Sequence, residues 1–192
     1  MIGRTHAVAA LTALGVVYFA LPPQTMSLAT VLVALLVNQI GGLAPDIDQP
    51  TAPLWRNLPI GGPIGKIIDK LLGGHRFLTH SLIGLGLFGV LTHFVLVFVQ
   101  PIMPIVNIDV VWLAFMIGMV SHLIMDTFTK EGVPWLLPVP IKFGIPPIRS
   151  LRITSGKAIE NYIILPGLVI FNIVFYTAHY SELLILIHRY II

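Results

Sequence analysis

Five long apolar stretches constrain the fold of this chain more than any other feature. They cover residues 7–21, 26–44, 81–99, 109–127 and 161–178. Each has roughly 15 to 19 residues, against the about 20 that cross a bilayer as a helix. Because the chain is 56% hydrophobic and only 10% charged, with a mean hydropathy of +0.93, lipid must be part of its solvent. The sequence therefore predicts an all-α polytopic membrane protein, a single transmembrane domain over residues 1–192 with five transmembrane helices.

Basic residues predict the orientation of this domain. All of the 11 Lys and Arg residues except Arg189 lie at the N-terminus or in the two long loops, residues 45–80 and 128–160. Lys and Arg flanking membrane helices are retained on the cytoplasmic side. We therefore expect a multi-pass protein of the bacterial or archaeal inner (plasma) membrane, with its N-terminus and both long loops cytoplasmic. The net charge of +3 follows from this bias, so nucleic acid is not an expected partner.

The first apolar stretch has a second interpretation. Arg4 followed by an apolar run of this length is also typical of a signal peptide. A convincing cleavage site of small residues is missing before Pro22, so we expect the stretch to be retained as a helix. The chain has no cysteine, which excludes disulfides, thiolate metal sites and cysteine nucleophiles.

The long loops are more apolar than ordinary linkers. In the first loop the spacing of Ile64, Ile67, Ile68 and Leu71 predicts a short amphipathic helix on the membrane surface. In the second loop, residues 132–148 are apolar but interrupted by prolines, so they cannot span the bilayer. This segment either covers a site at the interface or simply connects two helices along the membrane surface.

Histidines and acidic residues gather at the predicted cytoplasmic ends of the helices. Ionisable groups near a bilayer are costly to desolvate, and neighbouring helix ends of a bundle meet in space. The set therefore predicts one functional site. Its members are His6 at the start of helix one, Asp46 and Asp48 after helix two, His75 and His80 before helix three, His122 and Asp126 at the end of helix four, and Glu160 at the start of helix five.

The spacing within this set makes three local predictions. His122 and Asp126 lie four residues apart on one helix face, so both can reach the same metal ion. Asp46 and Asp48 follow Pro45 in a segment expected to be extended, which would point both carboxylates the same way. The five-residue spacing of His75 and His80 places at least one of them in a turn before helix three. Thr79 or Ser81 would cap that helix.

Nitrogen and oxygen ligands without cysteine suit one or two divalent ions, with zinc as the first choice and manganese or iron as alternatives. The expected metal ligands are His6, Asp46, Asp48, His75, His80, His122 and Asp126, with Glu160 as an additional candidate. Two such ions activate water and stabilise a phosphoryl transition state, with His80 and Asp48 expected to be catalytic. The HExxH and GxSxG motifs of metalloproteases and serine hydrolases are absent from the sequence.

A phosphate site is predicted next to this cluster. Arg149, Arg152, Thr154 and Ser155 precede helix five, whose first N–H groups attract anions, and Arg76 lies beside His75. The alternative is an ordinary helix cap with arginines that only set the orientation.

Three short runs resemble a known family. Residues 42–48 (GLAPDID), 75–81 (HRFLTHS) and 121–126 (SHLIMD), with the leading Thr5 and His6, look like the YdjM-like family of inner-membrane proteins, to which a metal-dependent hydrolase activity is ascribed. A fainter similarity is to zinc-dependent phospholipases C and related nucleases. It implies phosphoester hydrolysis with His6, Asp46, His75 or His80, His122 and Asp126 as ligands. The later histidine ligands of those enzymes have no counterpart here unless Glu160 serves.

The leading hypothesis is a metal-dependent phosphohydrolase that cleaves a lipid-borne phosphoester at the cytoplasmic membrane face. Its partners would be membrane lipid and that substrate; the residues indicate no oligomeric state. The alternative is a non-enzymatic membrane protein, either a metal ion carrier or a regulatory scaffold, that uses the same residues as a structural metal site. A carrier predicts ionisable residues through the membrane, and the helix interiors offer little beyond His93, Asn38 and Asn172.

Overall fold

The computed structural model describes residues 1–23, 26–52, 55, 58–139 and 141–191, without the side chains of 186, 187 and 189–191. Arg56 and the side chain of Arg189, both used to predict the orientation, lie outside this part. The helices are α1 (Gly3–Ala20), α2 (Leu28–Leu43), α3 (Gly61–Leu71), α4 (Leu82–Val99), α5 (Ile108–Thr127), α6 (Leu165–Ala178) and α7 (Tyr180–Ile191). In the described residues β-structure is limited to isolated bridges. The predicted all-α fold is confirmed.

Each predicted membrane stretch lies on a helix. In the described part of the chain, four segments are long and apolar enough to cross a membrane: Leu28–Asp48, Leu82–Ile102, Ile108–Thr127 and Glu160–Ala178. Helix α1 is not among them, so the fifth crossing stays a prediction. Helix α3 forms where the apolar spacing of the first loop predicted a surface helix. Helix α7 was not predicted.

Helix α5 lies at the centre of the bundle, and α1, α2 and α4 pack against it. Glycines let the backbones of α2 and α5 approach closely: a Cβ on Gly118 would collide with the Asn38 carbonyl oxygen, and one on Gly41 with the Phe115 carbonyl oxygen. The Asn38 Nδ2 donates a hydrogen bond of 2.9 Å to the Ala114 carbonyl at the same crossing. This crossing fixes the C-terminal ends of α2 and α5 side by side.

The turn after α2 differs from its prediction. Ala44–Asp48 forms a 3-10 helix, so the prediction of an extended segment here is wrong. Pro45 stands in the first turn of that helix, where its fixed φ is compatible with helical backbone and its missing N–H is not needed. As a result Asp46 and Asp48 approach His80 at different ring nitrogens, Nε2 and Nδ1.

The start of α4 agrees with its prediction. Ser81 caps the helix by accepting a 3.0 Å hydrogen bond from the Gly84 N–H. Both His75 and His80 therefore lie before α4, and His80 is in a short 3-10 turn, Leu78–His80.

The second long loop packs on the end of the bundle where the predicted ligands lie. The Trp135 Nε1 donates to Thr127 Oγ1 at 3.0 Å, and the Trp135 carbonyl accepts from the Leu82 N–H at 3.1 Å. Further along, Arg152 Nε donates to the Pro146 carbonyl at 2.7 Å. The loop is thus fastened to the ends of α4 and α5.

Candidate metal centre

The packing of the bundle brings residues from distant parts of the chain to one point. His6 lies in the first turns of α1, Asp46 in the 3-10 helix after α2, His80 in the turn before α4, and His122 and Asp126 in the last turns of α5. The His6, His80, His122 and Asp126 side chains are fully buried, whereas Asp46 keeps 15% of its side chain exposed. The predicted gathering of these residues is therefore present.

Two carboxylate oxygens approach the Nε2 atoms of the same two histidines. Nε2 of His80 lies 3.8 Å from Asp46 Oδ1 and 3.6 Å from Asp126 Oδ2. Nε2 of His122 lies 3.6 Å and 3.7 Å from the same two oxygens. Spacings of this size allow His80, His122 and Asp126 to share one divalent ion, with Asp46 beside them. The donor set fits a divalent ion in both chemistry and spacing.

Several of these buried atoms have no hydrogen-bond partner among the described residues. They are Nε2 of His6, His80 and His122, whereas Asp126 Oδ2 is paired with the Arg76 guanidinium at 2.6 Å. A buried polar atom without a partner costs about 1–3 kcal/mol, so such atoms are rare in native proteins. One cation at this point would satisfy the lone pairs that converge there. These unpaired atoms are the strongest sign of a metal site in the structure.

A hydrogen bond at Nδ1, the ring nitrogen opposite Nε2, fixes the orientation of the His122 ring. Its Nδ1 lies 2.7 Å from the Gly42 carbonyl oxygen and donates to it, which leaves the lone pair of Nε2 directed at the centre. The His6 ring stacks on the His122 ring at a centroid distance of 3.5 Å and an interplanar angle of 7°. Its Nε2 lies 3.3 Å from Asp126 Oδ1, so His6 stands at the edge of the same group.

Asp48 is directed at neighbouring residues of the His75–His80 segment. It accepts hydrogen bonds from His75 Nδ1 at 2.8 Å, from the Arg76 N–H at 3.0 Å and from the Thr79 hydroxyl at 2.5 Å. Thr79 Oγ1 in turn lies 2.9 Å from His80 Nδ1. A carboxylate in this position holds the rings of two histidines in place. Thr79 was considered only as a helix cap in the sequence, since nothing in its spacing identifies this role.

The possible ligand groups overlap. Three sets of ligand atoms lie close enough to hold an ion: His80 with His122 and Asp126, His6 with Asp46 and His122, and Asp46 with Asp48 and His75. His122 is shared by the first two sets and Asp46 by the last two. The arrangement therefore has room for one central ion and, on the side of the partly exposed His75, for a second.

The carboxylates around His80 change its proton affinity. Burial disfavours the charged ring, but Asp126 and Asp48 outweigh burial and raise the pKa of His80 above its usual value. Because a metal ligand must be deprotonated, an ion at this centre would displace that proton.

Comparison with known proteins places the chain in a family. Residues 1–183 match the family described as YdjM inner membrane protein. The chain belongs to this family. This match confirms the predicted family. The three runs that predicted it contain Asp46, His80 and His122.

Relatives of this YdjM-family chain include an uncharacterized protein, YvsG, of Bacillus subtilis strain 168, which is 31% identical over 173 residues, 88% of this chain and 91% of YvsG. The inner membrane proteins YdjM of Escherichia coli K12 and Shigella flexneri are each 34% identical over 122 residues, 63% of this chain. The match spans 56% of the length of those two proteins. No solved structure matches the chain. The family and the apolar helices establish a membrane protein.

Arg76 is a buried cation next to Asp126 in this YdjM-family site. Its Nη2 lies 2.6 Å from Asp126 Oδ2, its Nη1 donates to Thr129 Oγ1 at 2.7 Å, and its Nε is 3.3 Å from Glu131. The amino group of Met1 also contacts Asp126. The backbone of Arg76 has a φ of 58°, an uncommon conformation for a residue with a side chain. The surrounding hydrogen bonds hold Arg76 in this conformation and place its guanidinium on a predicted metal ligand.

Glu160 is buried but lies apart from the ligand groups. Its carboxylate accepts hydrogen bonds from the backbone N–H of Ile2 at 2.7 Å and of Gly156 at 2.6 Å. It thus joins the N-terminal segment to the turn before α6. In the described chain, the candidate ligand groups do not include it.

The other residues predicted to bind phosphate, besides Arg76, lie in the second loop. Arg149 Nε donates to the Lys130 carbonyl at 3.1 Å, and Arg152 donates to the carbonyls of Pro146 and Pro147. Thr154 and Ser155 are half-buried in the turn before α6. Both arginines therefore fasten the loop, and a phosphate contact by these residues stays a prediction.

Proposed function

We propose that this protein is a metal-dependent hydrolase that cleaves a phosphoester of a membrane lipid at the cytoplasmic face. The observation that carries the proposal is the convergence of the His80 and His122 Nε2 atoms, which are buried and have no hydrogen-bond partner, with the carboxylates of Asp46 and Asp126. Nitrogen and carboxylate ligands favour zinc, with manganese or iron as alternatives.

The proposed centre holds its ion between His80, His122, Asp46 and Asp126, with His6 beside them. A bound divalent ion supplies Lewis-acid chemistry to a phosphoester. Asp48, expected from the sequence to be catalytic, acts instead as a positioning residue that holds His75 and His80. His75 keeps 30% of its side chain exposed and Asp46 keeps 15%, so a phosphoester reaches the site from their side.

Arg76 is the arginine we place nearest the substrate phosphate, because its guanidinium already contacts Asp126. Arg149 and Arg152 bind loop carbonyls and would have to exchange them to reach a phosphate. Arg76 also offsets part of the negative charge of the buried carboxylates, which is needed because unpaired buried charges are costly.

The experiment compares the wild-type protein with Asp126→Asn, and with Asp109→Asn at the exposed start of the same helix α5 as the matched control. Metal content is measured on purified protein, beside hydrolysis of a water-soluble phosphomonoester, a phosphodiester, phosphatidic acid and a phosphatidylcholine. We expect metal and turnover in the wild type and in Asp109→Asn, and loss of both in Asp126→Asn. Metal-free wild-type protein with full turnover would overturn the proposal.

A structural metal site is the second candidate, and complete burial favours it. The His6, His80, His122 and Asp126 side chains are inaccessible, and an ion between them would link α1, α5 and the turn before α4. In that case the wild type binds metal and unfolds at a lower temperature when chelated, but it hydrolyses none of the phosphoesters above. The same measurements therefore separate the two candidates.

A further inference from the structure

An apolar groove runs along the bundle between α2 and α4. Both helices pack against α5, yet among the described residues they do not pack closely against each other. The gap has a volume of about 540 Å³. The side chains on its two walls include Val37, Ile40 and Leu43 from α2 and Phe88, Leu91 and Val95 from α4. This size lies in the range of ordinary small-molecule sites, about 300–1,000 Å³.

The groove lies at the depth of the hydrocarbon core. Its walls belong to Leu28–Asp48 and Leu82–Ile102, two of the segments able to cross a membrane. The wall on α4 extends from Phe88 to Leu96, which is about 12 Å along the axis at 1.5 Å per residue. These residues lie in the middle of Leu82–Ile102, so this wall is at the depth of the central part of a hydrocarbon core about 30 Å thick.

One end of the groove reaches the candidate metal centre. Asp46 is the charged residue among the described side chains that line the groove, and its Oδ1 lies 3.6 Å from His122 Nε2. The opposite end, near Leu96, is apolar. A molecule filling the groove therefore has its polar end at Asp46 and its apolar end within the bilayer.

A second groove provides an internal comparison. It has a volume of about 520 Å³ and lies between α1, α5 and α6, with Ala13, Val17 and Val120 in its lining. The described residues around it include neither a charged side chain nor a residue of the metal centre. Two lipid-facing grooves of similar size thus differ in their access to the metal ligands.

We propose that the groove between α2 and α4 binds one hydrocarbon chain of a membrane lipid, which enters sideways from the bilayer and brings its headgroup phosphate to Asp46. The placement of the phosphate rests on the proposed function, whereas binding of the chain does not. The substrate class is then an amphiphile with a long chain, and a phosphoester free in water is a poor substrate.

The first test measures chain binding without any reaction. Protein in phosphatidylcholine vesicles receives a small fraction of phosphatidic acid with a photoreactive diazirine in its acyl chain, and labelled residues are mapped by mass spectrometry. We expect labelling concentrated on groove residues such as Phe88 and Leu91. Excess unlabelled phosphatidic acid should suppress that labelling, and glycerol phosphate should not. Labelling spread evenly over the lipid-facing helices would overturn the proposal.

A groove-filling variant makes this test specific. Thr92→Trp places a large side chain in the groove, and Val120→Trp does the same in the second groove. We expect groove labelling to fall about tenfold or more in Thr92→Trp, the size of effect that loss of fit in an apolar pocket produces, and to persist in Val120→Trp. Equal labelling of both variants contradicts the proposal, provided that Thr92→Trp retains the wild-type metal content and thermal stability.

Measurements of kcat/KM distinguish the lipid-chain site from the proposed reaction. In Thr92→Trp, kcat/KM for a long-chain phosphoester should fall much more than kcat/KM for a short, water-soluble one, while Val120→Trp changes neither. A wild type that is labelled in the groove but hydrolyses no phosphoester refutes the reaction and keeps the chain site. The chain site is refuted, and the reaction is kept, if Thr92→Trp lowers kcat/KM equally for both substrates and leaves the labelling unchanged.

Discussion

At the scale of single residues, Asp46 and Asp48 share one turn but have different surroundings. The Asp46 Oδ1 faces the Nε2 atoms of His80 and His122, whereas both Asp48 oxygens already accept hydrogen bonds. The first is therefore the better ligand and the second the better positioning residue. Their spacing in the sequence made them equivalent, and the 3-10 backbone makes them different.

Substitution of each carboxylate by its amide tests this difference. Asp46→Asn should abolish high-affinity zinc binding, because it removes the negative charge of a ligand carboxylate from the centre. Asp48→Asn should retain the ion with about 10–100-fold weaker affinity, as expected when a residue that only orients ligands is lost. Competition with a chelator of known affinity measures both constants. Equal, complete loss in the two variants would make Asp48 a direct ligand, as the sequence predicted.

Glu160 is the other residue whose role the structure redefines. Glu160→Gln keeps the shape of the side chain but replaces one acceptor oxygen by an NH2 group. That group cannot accept the hydrogen bond that the oxygen accepted from the Ile2 or the Gly156 N–H. Each hydrogen bond to a charged group contributes about 1.5–3 kcal/mol, so the melting temperature should fall while the metal content stays unchanged. Thermal unfolding and metal analysis on the same sample decide the question. A stable variant that has lost its metal would show that Glu160 is a ligand after all.

At the scale of helices, the crossing of α2 and α5 sets the position of His122. Gly118 and Gly41 allow close backbone contact, and the Gly42 carbonyl one residue further on accepts from His122 Nδ1. The geometry of the metal centre thus depends on the distance between two helix axes. A side chain at the crossing would separate the axes and move the Gly42 carbonyl away from His122.

Gly118→Ala tests this dependence. The new Cβ would collide with backbone atoms of α2, so we expect destabilisation of about 1–3 kcal/mol and a lower metal affinity. The matched control is Gly86→Ala in α4, where no atom lies within 4 Å of the added Cβ; there we expect no loss, or a gain of up to about 1 kcal/mol. Thermal unfolding with and without chelator measures both effects. Equal stability and metal affinity in the two variants would show that the helix crossing does not determine the geometry of the metal centre.

At the scale of the whole molecule, the orientation in the membrane remains a prediction from the positions of Lys and Arg. Because the chain has no cysteine, single-cysteine labelling has no background from the protein itself. Lys142→Cys in the second loop and Ile105→Cys in the connection between α4 and α5 are both exposed sites for a membrane-impermeant maleimide. In right-side-out membranes only Ile105→Cys should react, and in inverted membranes only Lys142→Cys. The opposite pattern would place the metal centre on the outer face.

The sequence was enough to predict the lipid environment, the long apolar helices and the residue types of the site, although not helix α7. Apolar stretches of membrane length locate the helices because hydrophobicity and spacing are local properties of the chain. The pair His122 and Asp126 was predicted correctly to share a helix face for the same reason, and the family followed from short local runs. The error at Ala44–Asp48 was also local, since proline is compatible with both extended backbone and the first turn of a helix.

Only the tertiary structure decided which atoms meet. The partners of the ligands, the Gly42 carbonyl for His122 and Thr79 for His80, depend on the direction of hydrogen bonds, which residue spacing does not encode. Glu160 was included in the predicted cluster because it starts a helix, but in the folded chain its carboxylate accepts hydrogen bonds from Ile2 and Gly156. The groove beside Asp46 exists because α2 and α4 both pack on α5 and leave a gap between them. Such gaps arise from the distances between helices, and the chain specifies these distances only through the complete set of contacts in the folded bundle.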